Sequence, residues 1–189
     1  MLSLTRRRMF TSLSAGLLAA AVSGCATTRE AGSLKVILNV EKIDAYIQAS
    51  SKAAVTVISI VELVPALASY VPNLKDVVEK LSVASDTFNQ ATKGQLVVDY
   101  NSDSVHTIID SLFALFKQLA VIFKNVVVGL GAQNLSVSMD TVKRVEVLYN
   151  SLSTLVSILR ITLMPSTASV MNDPAKQRIE TLVLRTLSA

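Results

Sequence analysis

The sequence predicts an all-α protein: an antiparallel bundle of about four long helices plus a short C-terminal helix, preceded by a signal peptide and a short tether. Three observations predict it. Apolar residues recur at i, i+3, i+4 and i+7 spacing through four long stretches, the signature of helices with one buried face. Proline and glycine fall at or between the ends of those stretches, where they punctuate rather than interrupt. The connecting segments are short, which favours antiparallel neighbours. A chain of 189 residues fits one such domain, placed at residues 34–189 behind a signal at 1–24 and a tether at 25–33.

The N-terminal segment carries the strongest signal. Arg6, Arg7 and Arg8 form a basic region, an apolar run follows from Leu13 to Val22, and small residues come next. That order is a secretory signal peptide. The run is far short of the ~20 residues that span a bilayer core. Val22-Ser23-Gly24-Cys25 resembles the bacterial lipobox. The resemblance implies cleavage before Cys25, a diacylglyceryl group on its thiol and an acyl group on the new amine. It would also account for the only cysteine. Ala26 stands where the resemblance would place Asp for inner-membrane retention, so it implies outer-membrane delivery in a cell with two membranes. Arg7-Arg8-Met9-Phe10 resembles the twin-arginine export motif through Arg7, Arg8 and Phe10. It departs from that motif in having Arg6 where Ser or Thr is usual, and no Lys after Phe10. The general secretion route is the alternative. Stable anchoring takes more than one acyl chain, a condition that a triacylated Cys25 meets.

Ala26–Ser33 is small and polar and reads as the tether, with a helical pattern from Leu34 onward. The first helix is expected from about Val40 to Leu63, capped by Asn39 and ended or kinked by Pro65. Ile43, Ile47, Ala54, Val57, Ile58 and Val61 lie on its inner face, with the small Ser50 filling a gap. A second helix runs from near Pro72 to Lys93, through Leu74, Val77, Val78, Leu81, Ala84, Phe88 and Ala91, and Gly94 follows as its C-terminal glycine. Gln95–Asn101 has no helical period and reads as a loop or short extended piece. Asn101 or Ser102 caps a third helix with Asp103 in its first turn. Its stripe is Val105, Ile108, Ile109, Leu112, Phe116, Leu119, Phe123, Val126 and Val127, and Gly129 and Gly131 are expected to end it. Ser138 and Asp140 open a fourth helix, with Val142, Val145, Leu148, Tyr149, Leu152, Leu155, Val156 and Leu159 inside and Pro165 as its stop. Pro174 begins the last helix, with Ile179, Leu182, Val183 and Leu187 as its buried side.

Composition excludes several classes. At 51% apolar and 17% charged, the chain has the opposite of a disordered composition. One Cys and one His leave no disulfide framework and no Cys/His zinc site. The net charge of +4 misleads: without Arg6, Arg7 and Arg8, the 18 basic residues become 15 against 14 acids. The rest are scattered singly apart from Lys143–Arg144, so nucleic acid is not an expected partner. Ala53–Val71 is apolar, but Glu62 and Pro65 argue against a membrane span, since a carboxylate at mid-membrane costs ~2.5–3.5 kcal/mol. In a closed bundle Glu62 lies at the edge of the buried face and must reach solvent or a partner. Lys117 and Lys124 likewise give Leu112–Leu130 a polar face.

No catalytic constellation emerges. Nucleophile, dinucleotide and phosphate-loop motifs are absent from the sequence. Asp103, His106 and Asp110 share a helix face, but one face rarely closes a metal site, so no metal and no cofactor are assigned. Phe113, Phe116 and Phe123 form the densest aromatic cluster, read either as core or as the wall of an apolar groove. Interleaved hydroxyls such as Thr56, Ser59, Thr154 and Ser157 suit close helix contacts or plain surface. The mature part is similar to small helical lipoproteins of bacterial genomes and prophages, a likeness that carries no functional motif. The expected role is therefore a lipid-anchored envelope protein that binds another envelope protein or forms a homo-oligomer, and is not an enzyme. An apolar-ligand or lipid carrier is the first alternative. A prophage protein of superinfection exclusion or lysis is the second.

Overall fold

A computed structural model describes residues 25–30, 33–132, 137–163 and 174–189. The expected signal peptide, with Arg7, Arg8 and Phe10, and the expected stop at Pro165 lie outside the described residues. The protein is an all-α bundle. Its helices are α1 (Val40–Glu62), α2 (Tyr70–Ala91), α3 (Asp103–Ala132), α4 (Met139–Leu163) and the shorter α5 (Pro174–Ser188). A small antiparallel sheet accompanies them, in the order β1 (Cys25–Glu30), β2 (Ser33–Asn39) and β3 (Val97–Asp99).

Each helix packs on the next in sequence, and α5 closes the ring between α4 and α1. Lys75 at the start of α2 meets Glu62 at the end of α1, as an antiparallel pair requires. An odd number of helices in an up-and-down ring forces one parallel pair, and here it is α1 with α5. Lys42 bonds Glu180, and one turn series later Lys52 donates to the Ser188 carbonyl, so both chains ascend together.

Local chemistry sets most boundaries. The Asn39 side chain accepts the Lys42 amide at 3.0 Å and starts α1. A 3-10 turn at Pro65–Leu67 follows α1. Pro72 sits in the first turn of α2, where no intrahelical acceptor is missed. Thr92 turns its hydroxyl back to the Phe88 carbonyl, and Gly94 takes φ 76°, the left-handed geometry in which L side chains are strained. Ser138 receives the Thr141 amide at the head of α4.

The structure corrects the sequence expectation at three places. Within the expected tether, residues 25–30 and 33 belong to strands. Cys25–Glu30 pairs with Ser33–Asn39 along its full length, and the helical pattern expected from Leu34 begins only at Val40. Val36 and Leu38 alternate inward onto the core, the period of a strand with one buried face. That face gives β2 a reason to extend, and β1 satisfies its outer backbone groups. Second, α5 buries Glu180, Val183 and Leu187, while Ile179 and Leu182 face out. The Lys42 ion pair draws Glu180 inward and rotates the helix away from its most apolar face.

Third, α3 runs straight through both glycines that were expected to end it. Gly129 is a notch: a Cβ there would stand 2.6 Å from Cδ2 of the buried Leu67, in the 3-10 turn. Gly131 has open space around it. The two sites should therefore respond oppositely to alanine. Gly131→Ala should stabilise by up to ~1 kcal/mol through helix propensity. Gly129→Ala should lose that gain and destabilise by about 1–2 kcal/mol through overpacking on Leu67. Thermal unfolding of the two variants, compared with wild type, checks the sign.

Candidate functional site

The core claims two of the three candidate groove aromatics. Phe116 and Phe123 are 2% and 0% exposed and lie among the buried side chains of the bundle. Phe113 is half-buried at the surface, with the Lys117 ammonium 5.6 Å from its ring centre. The three therefore do not form a common groove wall.

An open groove does run along α3, but on the side of α2. It has a volume of about 750 Å³. Val83, Ala84 and Thr87 of α2 line it from one side, and Ile108, Ser111 and Leu115 of α3 from the other. Small residues create it. Ala84, Ser111 and Ala114 stand where larger side chains would fill the space between two helices. The rim is charged: Asp76 and Lys80 pair across one helical turn at 2.7 Å, beside Glu79. An apolar floor under a polar rim suits an aliphatic chain or an amphipathic helix, and the volume falls within the ~300–1,000 Å³ of ligand sites. Spacing in the sequence hides this groove, because Ile108 and Ala84 belong to the same stripes as the core residues. Only the crossing of α2 and α3 separates them from it.

Among the described residues, α3 is the one helix long and apolar enough to cross a membrane, yet only a third of its most apolar stretch is buried. Lys117, Gln118, Lys124 and Asn125 share its exposed side with Val121 and Val128. The groove lies beside this incompletely covered helix. Glu62, in the other apolar stretch, is exposed and 2.9 Å from Lys75.

The polar face of α3 is used by the sheet. Tyr100, on the connection from β3 to α3, donates its amide to the Val36 carbonyl and its hydroxyl to Asp110 at 2.7 Å. Its ring lies 4.7 Å from that of His106, whose Nδ1 is 3.7 Å from the other Asp110 oxygen. Asp110 is thus committed to a phenol from another element, while Asp103 is exposed. No three metal-ligating side chains cluster among the described residues. The arrangement ties the sheet to α3.

Burial, then the hydrogen bond to Asp110 and its negative charge, push the Tyr100 phenol up to about 12. A raised phenol favours the protonated native state. Its contribution to stability is complete below the ordinary tyrosine value of ~10 and is lost as pH climbs through about 12. Unfolding free energy should fall over that window, and Tyr100→Phe should flatten the fall. Denaturant unfolding of both proteins at matched alkaline pH checks it. A slope unchanged by the substitution would contradict this account.

The interleaved hydroxyls bond their own helices. Thr56, Ser59, Thr154 and Ser157 each donate to the carbonyl four residues earlier, so they serve as solvated surface and not as bridges between helices. Ser50 is the exception. It is wholly buried, and its hydroxyl is the one buried side-chain polar atom without a partner among the described residues. It fills the gap in the α1 stripe at the cost of an unmade hydrogen bond.

No known protein family, curated protein or solved structure matches the chain.

Proposed function

We propose that the protein is an exported lipoprotein, anchored through acylated Cys25 and facing the periplasm, that acts by binding and not by catalysis. The lipobox and the basic, apolar and small-residue order of residues 1–25 support export and anchoring. The observation that carries the binding role is the groove between α2 and α3. It is an apolar, charge-rimmed cleft beside a helix whose apolar surface the fold leaves partly uncovered. Its occupant in this reading is a protein segment, from another envelope protein or a second copy of the chain.

The volume of the groove favours a second reading, a carrier of a lipid or other apolar ligand. Native mass spectrometry of gently purified protein separates the two. Val83→Glu and Ser111→Glu change exposed groove positions and leave the core intact. A defined oligomer or protein complex that both variants dissolve supports the binding module. A co-purified lipid that both variants lose supports the carrier. A wild-type protein that is monomeric and empty sinks both readings. The intact mass of membrane-purified protein tests the anchor: it should begin at Cys25 and carry acyl groups.

A further inference from the structure

We infer that the sheet-bearing end of the bundle rests on the lipid surface, with Leu96 and Val97 seated in the bilayer interface. The inference rests on the acylation of Cys25 proposed above, and goes beyond it by fixing how the domain sits on the membrane.

The register of the sheet carries the argument. Cys25 pairs with Leu38, and Leu38 pairs with Val98, so the three form one row across the sheet. Adjacent strands lie ~4.8 Å apart, which places Cys25 about 10 Å from Val98. Were Ala26–Ser33 a free tether, its eight residues could extend roughly 26–29 Å and let the bundle take any orientation. Pairing removes that slack, since the strand begins at the anchored residue itself. With Cys25 acylated, the end of the sheet at which β1 begins then lies at headgroup level.

Leu96 and Val97 flank that row. Val97 pairs with Asn39, one position beyond Leu38, and the Leu96 carbonyl accepts the amide of Val40. Their backbone is therefore fixed to the start of α1, yet the side chains are 72% and 42% exposed. Two large apolar side chains on a rigid connection, beside a lipid anchor, are the kind that interfacial proteins seat in a bilayer. Leu63 offers the built-in contrast. It is 83% exposed, but it follows the other end of α1, 23 residues and so about 34 Å away. In this orientation Leu63 and the turn at Pro65–Leu67 point away from the membrane.

The chain has no tryptophan, so a single introduced one reports on its own position. Leu96→Trp and Leu63→Trp replace exposed side chains. The full-length acylated variants are reconstituted into phosphatidylcholine vesicles, with and without brominated acyl chains that quench on contact. The Leu96→Trp variant should show blue-shifted emission and lose most of it to the brominated lipid. The Leu63→Trp variant should emit as it does in detergent-free buffer and lose little. Acylated protein in which Leu96→Trp is unquenched, or in which both variants are quenched alike, overturns the inference and leaves the anchor standing. An unacylated mass in the same preparation removes the anchor and the inference together.

Discussion

Phe116→Ala should lower the unfolding free energy by about 3–5 kcal/mol, the range for deleting a buried aromatic side chain. The residue is inside the bundle, among side chains of α3 and its neighbours that are themselves buried. Truncation removes a ring's worth of apolar contact and leaves a cavity that helices pinned on both flanks can close only in part. Small domains are stable by ~5–15 kcal/mol, so the loss would take about a fifth or more of the total. In urea the midpoint should drop with the slope unchanged, as expected when the native contacts weaken and the extent of unfolding does not. Phe113→Ala is the control on the same helix. Half-buried under Lys117, it should cost about 1 kcal/mol or less. A small effect at Phe116 would mean that the ring faces a vacant groove, and the assignment of the binding surface to the α2 side of α3 would fail with it.

How much of this was readable in advance depends on the kind of residue. The α1 stripe is inside as its spacing predicts, from Ile43 to Val61 and including Ser50, because one apolar face on a 23-residue helix admits a single orientation. Asn39, Pro65 and Gly94 mark ends for local reasons that need no distant residue. Glu62 reaches solvent and Lys75, as the cost of burying an unpaired carboxylate requires. The failures share a different cause: each depends on a partner outside the element itself. Gly129 reads as a helix end until Leu67 is placed against it. Ala26–Glu30 reads as a tether until β2 offers its edge. The candidate groove fails the same way. Phe116 and Ile108 sit on one stripe, and only the approach of α2 decides that the first is core and the second lines a cleft. The role proposed for Cys25 rests wholly on the sequence, through Val22-Ser23-Gly24-Cys25.

Lys42→Ala should cost about 2–3 kcal/mol, far more than a surface ion pair would. Glu180 has its side chain only 8% exposed and lies 3.0 Å from the Lys42 ammonium, which is itself 26% exposed. Removing the lysine strands a carboxylate inside the contact between α1 and α5, and breaking a fully buried pair typically costs ~3–5 kcal/mol. The partial exposure of Lys42 admits some water and brings the figure below that range. Glu180→Ala should cost less, because Lys42 can swing its flexible stem toward solvent. Replacing both partners with methionine should recover most of the loss, since two apolar side chains of similar length leave no unmatched charge in the contact. A double-mutant cycle by chemical denaturation measures the coupling directly. The pair also decides geometry. An α5 packed by hydrophobicity alone would turn Ile179 and Leu182 inward, and the ion pair holds it in the other rotation. Crosslinking can read that rotation. Cysteines introduced at Lys52 and Ser188, whose ammonium and backbone carbonyl meet in the parallel arrangement, should be joined by a flexible bismaleimide in the wild-type background. They should crosslink poorly once Lys42 is alanine. Efficient crosslinking in both backgrounds, together with a loss below ~1 kcal/mol, would show that apolar packing by Val183 and Leu187 sets the position of α5 without help from the charge pair.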